Sequence, residues 1–213
     1  MSPPPVPRLR RAGLAEAAHA LAARDPMLGA LVRAHGVPPL WSRPAGFPTL
    51  VRIILEQQVS LASAKTLYAR VAGGLGDMTP AAVLAAGDAG LRGLGLTRQK
   101  AASVHDLADH VARGALPIAR LARMPDDEAR AALMRVRGIG PWTADIYLLM
   151  GLGRPDVWPR GDLALHRVLQ TLDPAGRAPT ADEASARAEA WAPWRAVAAR
   201  ILWQAYLNER RIR

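Results

Sequence analysis

From Leu9 onward apolar residues recur at helical spacing, while the apolar–polar alternation of a half-buried strand is nearly absent. A chain patterned this way must bury helical stripes against one another, which predicts an all-α protein of about ten helices. Leu14, Ala17, Ala18 and Leu21 keep the i, i+3, i+4, i+7 spacing of a first amphipathic helix. Pro26, Pro38, Pro39, Pro44 and Pro48 then read as a long extended connection carrying Trp41 and Phe47. Beyond it, Thr49 can cap a helix through Leu55, and Ser60 another to about Val71, with polar Glu56-Gln57-Gln58-Val59 between them. Thr79-Pro80 opens a short helix ending near Gly87, Leu91 to Leu96 reads as a turn, and Thr97 starts a helix to about Arg113. Asp126, Asp127 and Glu128 complement the dipole of a helix reaching about Met134. Thr180 and Glu183 fit a capping box, and Pro193-Trp194 opens a last helix to about Arg210.

Composition closes several function classes. At 213 residues the chain can bury a sizeable core, and with no cysteine it cannot form a disulfide scaffold, a thiolate zinc site, a catalytic thiol or an all-cysteine iron–sulfur cluster. His19, His35, His105, His110 and His166 form no ligand spacing with nearby acids, so no transition metal is expected. The formal net charge is +10, and all but Lys65 and Lys100 of the 28 basic residues are arginines. Arginine forks suit phosphate and flat rings, which favours a polyanionic partner; an Ala-, Arg- and Gly-rich composition is equally what a GC-rich genome gives any protein. No segment reads as membrane-spanning or as a signal peptide, and Met1 to Arg8 reads as a proline-rich leader, so a cytoplasmic, monomeric protein is expected.

The chemistry-bearing stretch is Arg137-Gly138-Ile139-Gly140-Pro141-Trp142-Thr143-Ala144. One helix stops at Gly138 and another starts after Gly140, with Val136 and Ile139 able to pin the turn between them. Two glycines let the backbone approach a ligand and offer free N–H groups to an anion such as a DNA phosphate. A glycine C-cap with a tight helix–helix turn explains the same residues without any ligand. Twenty-two positions after Gly140, Pro159-Arg160-Gly161-Asp162 places Asp162 where an N-cap belongs, ahead of Leu165, Val168, Leu169 and Leu172 at helical spacing. On its own Asp162 is explained as a cap; a carboxylate so held is also rigid, and its charge is complemented by the donors it faces.

Together with Ile54-Leu55-Glu56-Gln57-Gln58-Val59-Ser60 and Pro193-Trp194-Arg195 leading to Trp203, these segments resemble the helix–hairpin–helix DNA glycosylases, and within them the 3-methyladenine DNA glycosylase II family, over roughly Phe47 to Trp203. The resemblance implies two helical subdomains flanking a DNA-binding cleft. Residues 1–45 plus 155–213 would form one; residues 46–154, with the helix–hairpin–helix at about 126–152, the other. No β-rich N-terminal domain is expected. It implies Asp162 as the catalytic carboxylate, Trp142 and Trp203 as walls of the base pocket, and Gln58 as the wedge that fills the gap left by a flipped nucleotide. Arg137, Gly138, Gly140 and Thr143 would meet the DNA backbone, and the carbonyls of Met134, Val136 and Ile139 would hold a structural Na+ or K+ ion. Otherwise no cofactor is implied, and an iron–sulfur cluster is excluded. Where well-known members carry pocket tyrosines this chain has Ile146 and Leu163, so its pocket should be less aromatic; Trp41 can be core, pocket wall or lid.

A cationic N-alkylated purine is already a good leaving group, so an anion near the sugar and an oriented water suffice for its hydrolytic removal from double-stranded DNA in base excision repair. Relatives that also nick the strand carry a lysine just after the hairpin glycines; here that position is Trp142, and neither lysine is near it in sequence, which predicts a monofunctional glycosylase. The alternatives are a non-catalytic helix–hairpin–helix DNA-binding module, with Asp162 merely a cap, and a glycosylase for deaminated or oxidised purines.

Overall fold

The computed structural model describes residues 7–212, so most of the proline-rich leader lies outside the described residues. Twelve α-helices and no strand occur among them: α1 (Arg11–Arg24), α2 (Pro26–His35), α3 (Phe47–Glu56), α4 (Leu61–Leu75), α5 (Pro80–Gly93), α6 (Arg98–Ala112), α7 (Ile118–Leu121), α8 (Asp126–Met134), α9 (Pro141–Ile146), α10 (Leu163–Thr171), α11 (Ala181–Ala188) and α12 (Arg195–Ile212). A π-helical turn, Tyr147–Gly151, extends α9, and a 3-10 turn, Glu189–Trp191, follows α11. The chain is all-α, as its periodicity predicts. No described helix is long and apolar enough to cross a membrane.

Two compact units divide the chain, one spanning Arg43–Leu152 and the other combining Pro7–Ser42 with the chain from Gly153 onward. In the first, α3 is buried nearly all round: Leu50, Val51, Ile53, Ile54 and Leu55 are inaccessible. A helix apolar on every side has to be enclosed, and each such side chain contributes roughly 1.5–3 kcal/mol of burial. In the second unit, α12 supplies buried Ala196 to Leu202 and packs against α1, α2 and α10. Arg200, also on α12 and fully buried, donates from Nε to the Leu40 carbonyl at 2.8 Å and from Nη1 to the Ala196 carbonyl at 2.9 Å. Burial lowers its pKa to about 10, so it stays charged at neutral pH.

Several boundaries differ from the sequence reading for local reasons. The extended connection from Pro26 contains α2: Pro26 stands at the first helical position, where its missing N–H costs nothing, and Asp25 caps the helix by accepting from Met27 N and Leu28 N at 2.9 and 3.1 Å. Helix α3 begins at Phe47 rather than behind a Thr49 cap, because the Thr49 hydroxyl turns back to donate to the Pro44 carbonyl at 2.6 Å. Helix α5 does not end at Gly87; the backbone kinks there, at φ 60°, and resumes to Gly93, burying Leu91. Ser60, Thr79, Thr97 and the Thr180–Glu183 capping box are all formed as the sequence predicts.

Candidate nucleic-acid interface and catalytic carboxylate

In the first unit, α8 and α9 form a hairpin around residues 135–140. Val136 and Ile139 are buried and pin the turn, Ile139 N–H donates to the Val136 carbonyl at 3.1 Å, and Gly140 precedes α9 with extended backbone. Gly138 is needed twice over: its φ is +78°, and a Cβ there would collide with Ser103 Oγ of α6. Three remote side chains therefore shape this turn. Besides Ser103, the Asp106 carboxylate accepts from Arg137 N–H at 2.7 Å, and the Gln57 amide Nε2 donates to the Gly138 carbonyl at 2.9 Å and to Thr143 Oγ1 at 2.8 Å. Arg137 and Gly138 are exposed, Thr143 is buried, and Trp142 is half-buried in the first turn of α9. Thr143 thus holds the loop carrying Gln57 instead of presenting its hydroxyl outward. Ile146 is buried near the end of α9, whereas Met134 is 41% exposed.

Gln58, on the connection between α3 and α4, is exposed and adopts a left-handed backbone with φ 58°. Glu56 beside it is held by Arg43 in a two-pronged fork at 2.8 and 2.9 Å and by Arg52 at 3.3 Å, so its carboxylate is structural. Lys65 is exposed. Lys100, remote from the hairpin in sequence, is close to it through the fold: it lies one turn before Ser103 on α6, and its Nζ donates to the Leu55 carbonyl at 2.6 Å. Burial lowers the Lys100 pKa from its ordinary value.

In the second unit, Gly161 turns the chain at φ +78° and Asp162 caps α10. Asp162 is 7% exposed, and its Oδ1 accepts from Ala164 N at 3.0 Å, Leu165 N at 3.1 Å and the Trp203 indole Nε1 at 3.1 Å. Trp203 reaches it from α12, forty-one positions along the chain. The indole therefore orients the carboxylate, a role the sequence reading did not assign to it. Leu163, the next residue, is 74% exposed and sets an open apolar face beside the carboxylate. Trp41 is half-buried, with a left-handed φ of 41°, and follows the Leu40 carbonyl gripped by Arg200.

Sequence reasoning missed Gln57, Asp106 and Arg200 as working residues. Their partners lie 81, 31 and 160 positions away, beyond any local pattern. The only signal was that Gln57 stands in a polar run between two helices that has no capping use for it.

A model of the HhH-GPD superfamily base excision DNA repair protein matches residues 51–193. DNA-3-methyladenine glycosylase 2 of Escherichia coli is 32% identical over 166 residues, covering 72% of this chain and 55% of the relative. The chain spans 64%, 36% and 55% of the length of three curated bacterial relatives. Among solved structures, a DNA-3-methyladenine glycosidase from Bacillus halodurans superposes with a TM-score of 0.77 at 30% identity, covering 89% of this chain and 88% of that one. The Schizosaccharomyces pombe 3-methyladenine DNA glycosylase Mag1, in complex with abasic DNA, gives 0.79 at 27% identity, covering 89% and 95%.

Proposed function

Because the chain belongs to the HhH-GPD superfamily of base excision DNA repair proteins, we propose that it is a monofunctional DNA glycosylase that flips alkylated purines of the 3-methyladenine and 7-methylguanine type out of double-stranded DNA and hydrolyses their N-glycosidic bond. The observation that carries this reading is Asp162: a nearly buried carboxylate whose Oδ1 is fixed by three N–H donors, two from the helix it caps and one from Trp203. A charge held this way needs no reorganisation as the sugar acquires oxocarbenium character.

The electron pair of the breaking bond leaves with the cationic base, which becomes neutral without a protein acid. Water then attacks the sugar carbon, and its proton passes to the carboxylate or to solvent. Trp142 offers a flipped cationic purine a π face, worth roughly 0.5–2 kcal/mol. The hairpin main chain at Gly138 and Gly140 grips a phosphate, with Arg137 adding charge. The Met134, Val136 and Ile139 carbonyls are the hard oxygens that would hold an Na+ or K+ ion; Val136 keeps a second lone pair beside its bond to Ile139 N–H, whereas the Gly138 carbonyl is taken by Gln57. A cation there would supply positive charge to a bound phosphate.

Strand cleavage needs a nucleophilic amine where this chain has Trp142. The Lys100 amine lies instead at the end of α3, donating to the Leu55 carbonyl. The protein would act as a monomer on cytoplasmic DNA. The deciding assay is release of 3-methyladenine and 7-methylguanine from alkylated duplex by wild type and Asp162→Asn. The amide keeps an acceptor for the cap donors and removes the charge, so base release should fall about 10²–10³-fold. Release at the wild-type rate would leave only a DNA-binding module.

A further inference from the structure

The connection between α3 and α4 is built as a stiff projection. Gln58 sits in the left-handed region, a conformation that costs a non-glycine residue free energy and persists only where its flanks are fixed. On one side α3 is enclosed, its end is tied by Lys100 Nζ to the Leu55 carbonyl, and the Gln57 side chain is bonded to the hairpin. On the other, Ser60 caps α4 by accepting from Ser63 N at 3.2 Å. Between these anchors the exposed tip consists of Gln58 and Val59, 43% exposed, followed by Leu61, 67% exposed. Apolar side chains exposed at such a tip suit insertion between base steps.

We infer that Gln57 is a positioning residue that couples this wedge to the phosphate-gripping hairpin. The Nε2 atom carries two hydrogens, directed to the Gly138 carbonyl and to Thr143 Oγ1, the two sides of the turn that would hold DNA. The side chain thus fixes the hairpin while its own backbone starts the wedge, so seating on a phosphate and insertion of Gln58, Val59 and Leu61 occur at one fixed spacing. This rests on the glycosylase reading for the purpose of insertion, and the test separates the two.

The test compares wild type, Gln57→Ala and Gln57→Glu on three duplexes: undamaged, one with a tetrahydrofuran abasic analogue flanked by 2-aminopurine, and one alkylated. For both variants the preference for abasic over undamaged duplex and the single-turnover rate of base release should fall about tenfold, and the 2-aminopurine signal should drop, over and above any loss of affinity that the two duplexes share. Equal loss on abasic and undamaged duplexes with the fluorescence signal kept would reduce Gln57 to a brace of the hairpin and overturn the coupling, as would no change at all. Should Gln57→Ala unfold, Thr143→Val removes one acceptor alone and carries the same comparison. Wild type that releases no base yet prefers abasic DNA would refute the glycosylase reading and leave the coupling to be judged on abasic preference.

Discussion

The hairpin and the Asp162 site are assembled in opposite ways. The hairpin presents main chain, and its shape is imposed from outside by Gln57, Asp106 and the close approach of Ser103 to Gly138. Asp162 presents a side chain that accepts within three residues from Ala164 N–H and Leu165 N–H, and from a distance the Trp203 indole reaches the same oxygen. A backbone surface can be altered only through geometry, whereas a carboxylate can be altered through charge with its geometry kept. Substitutions in the two places should therefore fail in different assays.

The largest expected effect is that of Asp162→Asn: base release down about 10²–10³-fold, with abasic-duplex affinity and thermal midpoint near wild type. A parallel collapse in binding would erase the contrast between the two sites. Gly138→Ala should show the reverse pattern. Its positive φ and the clash with Ser103 should cost about 1–3 kcal/mol in denaturant unfolding and weaken all duplexes alike, while single-turnover release at saturating protein stays closer to wild type. Trp203→Phe keeps an aromatic ring but removes the indole donor to Asp162, so release should slow by about tenfold without loss of binding; an unchanged rate would show that the local cap alone orients the carboxylate.

The smallest effect belongs to a cap remote from both sites. Hydrogen bonding from Arg177 first, then from the Thr180 N–H, holds the Glu183 carboxyl down at about 2. A depressed carboxyl stabilises the fold above its ordinary pKa of 4.5 and loses that contribution as pH falls toward 2. Glu183→Gln should thus flatten the acid limb of a thermal-midpoint profile slightly and leave base release at neutral pH untouched.

Residues acting within one helical turn are legible in the sequence. Ser60, Thr79, Thr97, Thr180 and Asp162 all cap where their spacing places them, because an N-cap needs only an oxygen two or three residues before free N–H groups. Pro38, Pro39 and Pro44 do lie in extended chain, but Pro26 and Pro48 sit in first turns, where the ring is compatible with a helix. Lys100 is distant from the hairpin along the chain, and the fold brings its helix against it.

By itself the sequence determined the helical class, the hairpin glycines, the capping aspartate and the family, because each depends on residues a few positions apart or on motifs in a fixed order. Tertiary structure alone decided that the Trp203 indole steers Asp162, that Arg200 grips the backbone before Trp41, and that Gln57 ties the wedge to the hairpin. Those are hydrogen bonds across 41 to 160 positions, and two of them, at Leu40 and Gly138, end on backbone carbonyls that every residue carries, so nothing in the sequence marks one end for the other.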